Sequence, residues 1–216
     1  MALYLELQEK KVYKLMSKNL NENLISSLID RNSKVLDIGC GNGDLLFHLE
    51  KVKKINGQGI EISPSGVQES VAKGLSVIQG DADIDLASFP DNAFDVVILS
   101  HTLQATHKPK EVLIEMLRIG KKCIISIPNF GYWKYRIQML FLGVMPVSKT
   151  LSEPWYATSN IHLCTLKDFI ELCELLNISI DEAFRNTTHS IKKINKPNSY
   201  LNNLLSIEGI FVISND

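Results

Sequence analysis

Short apolar runs alternate along this chain with longer segments of helical spacing. The runs Val35-Leu36-Asp37-Ile38, Gly57-Gln58-Gly59-Ile60-Glu61, Leu75-Ser76-Val77-Ile78-Gln79, Phe94-Asp95-Val96-Val97-Ile98-Leu99-Ser100 and Ile119-Gly120-Lys121-Lys122-Cys123-Ile124-Ile125-Ser126-Ile127 predict strands. The most continuous of them suit parallel strands covered on both faces. Residues 44–50, the stretch opened by Ser63-Pro64 and residues 110–117 read as the helices between them. Ser63 is a natural N-cap and Pro64 suits a first helical turn. The alternation predicts an α/β architecture with a doubly wound, mostly parallel sheet. Residues 166–176 read as an amphipathic helix, and residues 178–183 and 206–212 as two antiparallel strands closing the sheet. Residues 1–20 read as a further amphipathic helix with Leu5, Val12, Leu15, Met16 and Leu20 facing the core.

The first strand runs directly into Gly39-Cys40-Gly41-Asn42-Gly43. Glycine lacks Cβ and tolerates positive φ, so alternate glycines let backbone approach a ligand closely. The following helix presents its N-terminal amides to the same space. A dinucleotide fingerprint spaces its glycines G-x-G-x-x-G to hold a pyrophosphate. Here the spacing is G-x-G-x-G, with Asp37 before the loop and Asp44 after it. Two carboxylates repel a pyrophosphate but suit a cation, such as the amino group of S-adenosylmethionine (SAM). The pattern resembles the first motif of class I SAM-dependent methyltransferases.

On that resemblance Asp37, Gly39, Cys40, Gly41 and Gly43 border the amino-acid end of SAM or S-adenosylhomocysteine. Glu61, ending the second strand with Ile62 beside it, accepts from the ribose hydroxyls. Asp81 caps the adenine amino group and the Ala82 N–H meets the ring. Asp83 and Asp85 are near alternatives to Asp81, with solvated loop acids as the preferred reading. Ser100 lies where the fourth strand reaches the ligand edge. Cys40 itself reads as a small side chain packed toward the sheet.

Net charge is −1, from 23 basic and 24 acidic residues, so no strong field draws nucleic acid. Lys192, Lys193 and Lys196 read as a solvated loop. The N-terminus lacks a continuous apolar leader, and 139–145 is too short to span a bilayer. A cytoplasmic chain with no membrane contact is the expectation. Cys40, Cys123, Cys164 and Cys173 show no zinc spacing, so reduced thiols and no metal are expected. The 45 % hydrophobic content suffices for one domain spanning 1–216.

Residues 129–165 break the α/β rhythm. They hold both tryptophans, Trp133 and Trp155, with Tyr132, Tyr135, Arg136 and Tyr156. A long insertion over a ligand edge is commonly functional. It reads either as a cover shaping an acceptor pocket or as a docking surface, since Trp, Tyr and Arg dominate interface hot spots. Were the chain to transfer methyl groups, His101 and His162 are the candidate bases and Tyr156 or Tyr132 the hydrogen-bonding partners. No acid is visibly paired with either histidine. His48, His107 and His189 read as surface or capping residues.

The strings Leu99-Ser100-x-Thr102-Leu103-Gln104-Ala105, Pro128-Asn129-Phe130-Gly131 and Asn160-Ile161-His162-Leu163-Cys164-Thr165, with the glycine loop, resemble the methionine biosynthesis protein MetW family. His101 departs from the glutamine expected there, and no family-wide string follows Ala183. The resemblance implies a class I methyltransferase-like sheet of about seven strands, mostly parallel with an antiparallel C-terminal strand and helices on both faces. It implies a place in methionine synthesis and a homoserine O-acyltransferase of the MetX type as partner, met through 129–165. Two readings follow: a SAM-binding partner subunit, or an active methyltransferase on a small acceptor.

Overall fold

The computed structural model describes residues 20–148, 151, 154–187 and 190–215. The helix expected over 1–20 lies outside these residues apart from Leu20, which is 37 % exposed rather than buried.

Eight strands form one sheet: β1 (Lys34–Ile38), β2 (Asn56–Glu61), β3 (Val77–Gln79), β4 (Phe94–Ser100), β5 (Gly120–Pro128), β6 (Ile178–Asn186), β7 (Ile191–Lys193) and β8 (Glu208–Asn215). Their order is β3-β2-β1-β4-β5-β8-β6-β7. The first five run parallel. β8 inserts antiparallel between β5 and β6, and β7 pairs antiparallel with β6 at the edge. The expected count omitted β7, because its three residues contain two lysines and read as a solvated loop. On an edge, Lys193 keeps its ammonium in solvent and pairs with Glu182 at 2.5 Å.

Helices α1 (Asp44–Lys53), α2 (Pro64–Ala72), α3 (Pro109–Ile119), α4 (Trp133–Leu142), α5 (Leu166–Leu175) and α6 (Tyr200–Leu205) surround the sheet. α2 starts as expected, with Ser63 Oγ accepting from Gly66 N–H and Pro64 in the first turn. α5 starts with a capping box between Thr165 and Asp168. α4 lies inside the 129–165 segment.

Strand period 2 divides the core. Leu36, Ile38, Val97, Leu99, Ile125, Ile127 and Phe211 pack on one face with Val112, Met116, Phe169 and Cys173. Val35, Val96, Ile98, Ile124, Ile210 and Val212 pack on the other with Leu46, Leu49, Ile25 and Ile29. Both faces are covered, which is why β4 and β5 have so few polar positions. The parallel strands all end at one edge. Asp37 is in register with Gly59 and Ile98, Glu61 with Gln79, and Ser100 with Ser126. Because β8 runs the other way, its first residue, Glu208, reaches that same edge beside Pro128.

Candidate functional site

The glycine loop opens the edge. Gly39, Gly41 and Gly43 have φ of 67°, 57° and 75°, in the left-handed region that favours glycine. They differ in what surrounds them. A Cβ on Gly39 would fall 2.5 Å from Thr102, and one on Gly43 2.5 Å from Leu75, whereas one on Gly41 meets nothing within 4 Å. Gly41 therefore faces open space. Its N–H donates to Glu61 Oε2 at 2.8 Å, and Ser63 N–H donates to Glu61 Oε1 at 2.8 Å. Glu61 thus braces the loop and the start of α2. An ionised carboxylate has about four acceptor sites, so two remain for hydroxyl donors. Cys40 packs against β2, where a Cβ on Gly59 would lie 2.6 Å from its sulfur.

Asp37 is 2 % exposed. Burial, and then the negative charge of Glu61, push its carboxyl up to about 7. Such a group ionises readily once a cation arrives beside it. Burial also pushes the thiols up, to about 12 for Cys40, Cys123 and Cys173 and about 11 for Cys164, so they are poor nucleophiles. Among the described residues no group of three His, Cys, Asp or Glu is placed to hold a metal. No helix among them is long and apolar enough to cross a membrane.

A cleft of about 140 Å³ lies beside the loop, between the ends of β2 and β3 and the turn after β4. Gly39, Ile62, Asp81 and Ala82 line it, four of the residues the sequence singled out. Asp37, Cys40, Gly41, Gly43 and Glu61 belong to the loop side of the same edge, outside this cleft. Ser100 is turned toward β5, its hydroxyl 3.0 Å from that of Ser126. Asp83, the near alternative to Asp81, also lines the cleft, as do Thr102, Ala105, Thr106 and Gly80, which escaped sequence reasoning. Their one signal was position, just past the ends of β3 and β4.

Asp83 and Asp85 are not merely solvated loop acids. The Asp83 carboxylate accepts from His107 N–H at 2.7 Å and Lys108 N–H at 2.8 Å, capping the approach to α3. Asp85 Oδ2 accepts from Asp81 N–H at 2.7 Å. Together they fix the loop that carries Asp81 and Ala82.

The histidines separate clearly. His101 is held at φ 56°, an uncommon conformation for a residue with Cβ. Its Nε2 stands 2.8 Å from Glu208 Oε1; its side chain is 42 % exposed and that of Glu208 1 %. The paired acid that the sequence did not reveal is therefore on β8. Asn21 Nδ2 donates to both Glu208 oxygens, at 2.9 and 2.8 Å, and Asn186 Nδ2 donates to Oε2 at 3.1 Å. Burial works against the charged imidazolium, but the charge of Glu208 and its hydrogen bond outweigh it, and His101 is raised. Glu208 is lowered: burial opposes its ionisation, and the charge of His101 with the His101, Asn21 and Asn186 bonds overcomes it.

His162 and Tyr156 are exposed, Tyr156 stacked edge-on against Trp155. Tyr132 is buried in a local cluster with Tyr135, Leu151 and Ile207. The backbone of His162 meets the turn that follows His101, its N–H donating to the Gln104 carbonyl at 3.0 Å. His48, expected at the surface, is half-buried with Nε2 lacking a hydrogen-bond partner. His107 is exposed at the start of α3, and His189 lies outside the described residues.

This strand order, with one reversed strand inserted beside β5 and a glycine loop after β1, defines the class I SAM-dependent methyltransferase fold. A SAM-dependent methyltransferase of Thermotoga maritima superposes with a TM-score of 0.69 at 14 % identity, covering 99 % of this chain and 96 % of that one. The methionine biosynthesis protein MetW family matches residues 20–213, and the chain belongs to that family. A bifunctional methionine biosynthesis protein MetXA/MetW of Rhodopirellula baltica is 36 % identical over 173 residues, 76 % of this chain and 28 % of that protein. A demethylmenaquinone methyltransferase of Listeria welshimeri is 29 % identical over 152 residues, 62 % of this chain and 63 % of that one. The chain thus spans less than two thirds of either curated relative.

Proposed function

We propose that this protein binds SAM or S-adenosylhomocysteine at the carboxyl edge of its sheet and acts as the partner subunit of a homoserine O-acyltransferase in methionine biosynthesis. The residues fit the ligand. Gly41 faces open space, the buried Asp37 suits a cationic amino group, and Glu61 retains acceptor sites for ribose hydroxyls. The cleft bordered by Ile62, Asp81 and Ala82 suits a flat base. A cytoplasmic location goes with that role.

The observation that carries the partner is the fused MetXA/MetW relative. A function named on the rest of that protein is a natural candidate for association with this one. The 129–165 segment supplies a surface for it. Leu140 and Phe141 are 76 % exposed, Leu142 68 %, Trp155 73 % and Tyr156 75 %. Exposed apolar and aromatic residues in such number suit an interaction site. The test is homoserine O-acyltransferase activity of the cognate MetX-type enzyme, with and without this protein, at fixed SAM. A clear change in rate is expected; no change and no co-purification would remove the partner reading.

One observation favours a second reading, an active methyltransferase on a small acceptor. His101 carries a buried acid partner at the ligand edge. With Nε2 held by Glu208, Nδ1 is the nitrogen free to take a proton from an acceptor. Bound SAM supplies the electrophilic methyl group, and the protein's share is to orient the pair and remove that proton. Turnover with a defined metabolite in an acceptor screen would establish it.

A further inference from the structure

Three strings far apart in the chain meet beside the cleft. The Gln104 carbonyl accepts from Ile161 N–H at 2.8 Å and from His162 N–H at 3.0 Å. Gln104 Nε2 lies 3.9 Å from Cys164 Sγ. The Cys164 carbonyl accepts from Phe130 N–H at 3.1 Å, and Asn129 Oδ1 accepts from Leu166 N–H at 3.2 Å. The inserted segment is therefore hung from the turn that follows β4.

That turn is also the cleft wall. Leu103–Ala105 forms one 3-10 turn, and Thr102, Ala105 and Thr106 around Gln104 line the cleft. Gln104 is 1 % exposed, and its Oε1 has no hydrogen-bond partner. An unpaired buried amide oxygen is costly. A donor brought to it by a small shift of the turn would remove that cost. A ligand in the cleft that favours such a shifted turn would draw the population toward it.

We propose that the Leu103–Ala105 turn couples occupancy of the cleft to the placement of the 160–164 stretch of the insertion, with Gln104 as the positioning residue. Only the regulatory consequence rests on the partner reading given above: SAM or S-adenosylhomocysteine then tunes the acyltransferase complex through the segment that meets it. The coupling itself belongs to the isolated protein. By linkage it works in both directions, so whatever holds the insertion also alters affinity for the ligand.

The test uses the full chain with S-adenosylhomocysteine as probe. Binding is first established by calorimetry, and amide hydrogen exchange is then followed at Ile161 and His162. Saturating ligand is expected to change exchange at both by at least about fivefold, the lower end of typical couplings. The Asp168 amide in the α5 cap serves as the reference. Gln104→Leu keeps the volume but removes the unpaired oxygen and the Cys164 contact. It is expected to bind the ligand and to lose the response at Ile161 and His162. If Gln104→Leu does not fold, Cys164→Ala cuts the same side-chain link from the other end. Ligand bound with unchanged exchange at both amides would overturn the coupling, and a full response in Gln104→Leu would overturn the role of Gln104. Absence of binding would overturn it together with the ligand assignment. A response at the amides without any effect on the acyltransferase would remove the partner reading and leave the coupling intact.

Discussion

His101 Nε2 and Glu208 Oε1 stand 2.8 Å apart between the end of β4 and the start of β8, an ion pair whenever the imidazole is protonated. The acid is buried and held by Asn21 and Asn186. The pair joins the ligand edge to the strand that reverses the sheet.

Removing one partner of a buried pair leaves the other uncompensated. Glu208→Ala is expected to destabilise the protein by about 2–3 kcal/mol, below the full range for buried pairs because His101 is partly exposed. Urea unfolding would measure it. His101 is raised above 6.5, so its contribution is complete below that pH and fades as pH rises through the raised value. Glu208 is lowered below 4.5, so its contribution is complete above that pH and fades as pH falls through the lowered value. The pair therefore contributes fully between pH 4.5 and 6.5. The difference in stability between wild type and Glu208→Ala should be widest there.

The three loop glycines should respond differently to substitution. The Cβ of Gly41→Val meets open space, and the left-handed backbone adds a strain of at least about 1–2 kcal/mol for a β-branched residue. The variant should fold and lose S-adenosylhomocysteine binding in calorimetry. Gly39→Ala drives a methyl into Thr102 and should lower the melting temperature more than Gly41→Ala does. Retained binding in Gly41→Val would mean that the loop does not touch the ligand.

Glu61→Ala removes the acceptors for two backbone N–H groups as well as those assigned to the ribose. Ligand affinity should weaken by about 1–3 kcal/mol, the scale of unpaired polar groups. Calorimetry on Glu61→Ala beside Glu61→Gln, which keeps one acceptor oxygen, should show the smaller loss in the glutamine variant. Unchanged affinity in Glu61→Ala would refute the ribose assignment.

Asp37 gives the ligand site a pH dependence. Its carboxyl titrates at about 7, and the neutral form does not pair with a cationic amino group. Affinity for SAM should rise about tenfold per pH unit below 7 and level off above it. Asp37→Asn should flatten that profile. In the free protein the sign is opposite. A raised acid favours the fold most below 3.8, and that advantage is lost as pH rises through about 7.

Much of the edge was legible because its information is local. Positive φ at Gly39, Gly41 and Gly43, the Ser63 cap and the unbroken apolar content of β4 follow from neighbours in the chain. Gly39, Ile62, Asp81 and Ala82 line the cleft because each ends or follows a parallel strand. Residues that act through distant partners were not legible. Asp83 and Asp85 read as solvated until the fold set backbone amides against them. β7 was missed because three residues with two lysines carry no periodic signal.

The sequence by itself therefore determined the parallel half of the sheet, the glycine loop and the family strings, since strand burial and turn chemistry are written in short runs of residues. Tertiary structure alone decided the pairing of His101 with Glu208 and the hanging of the insertion on Gln104. Both depend on which strands and turns become neighbours. The physical reason is the reversal of β8, which brings Glu208 to the edge where the parallel strands end, and the closing of the insertion back onto the turn after β4.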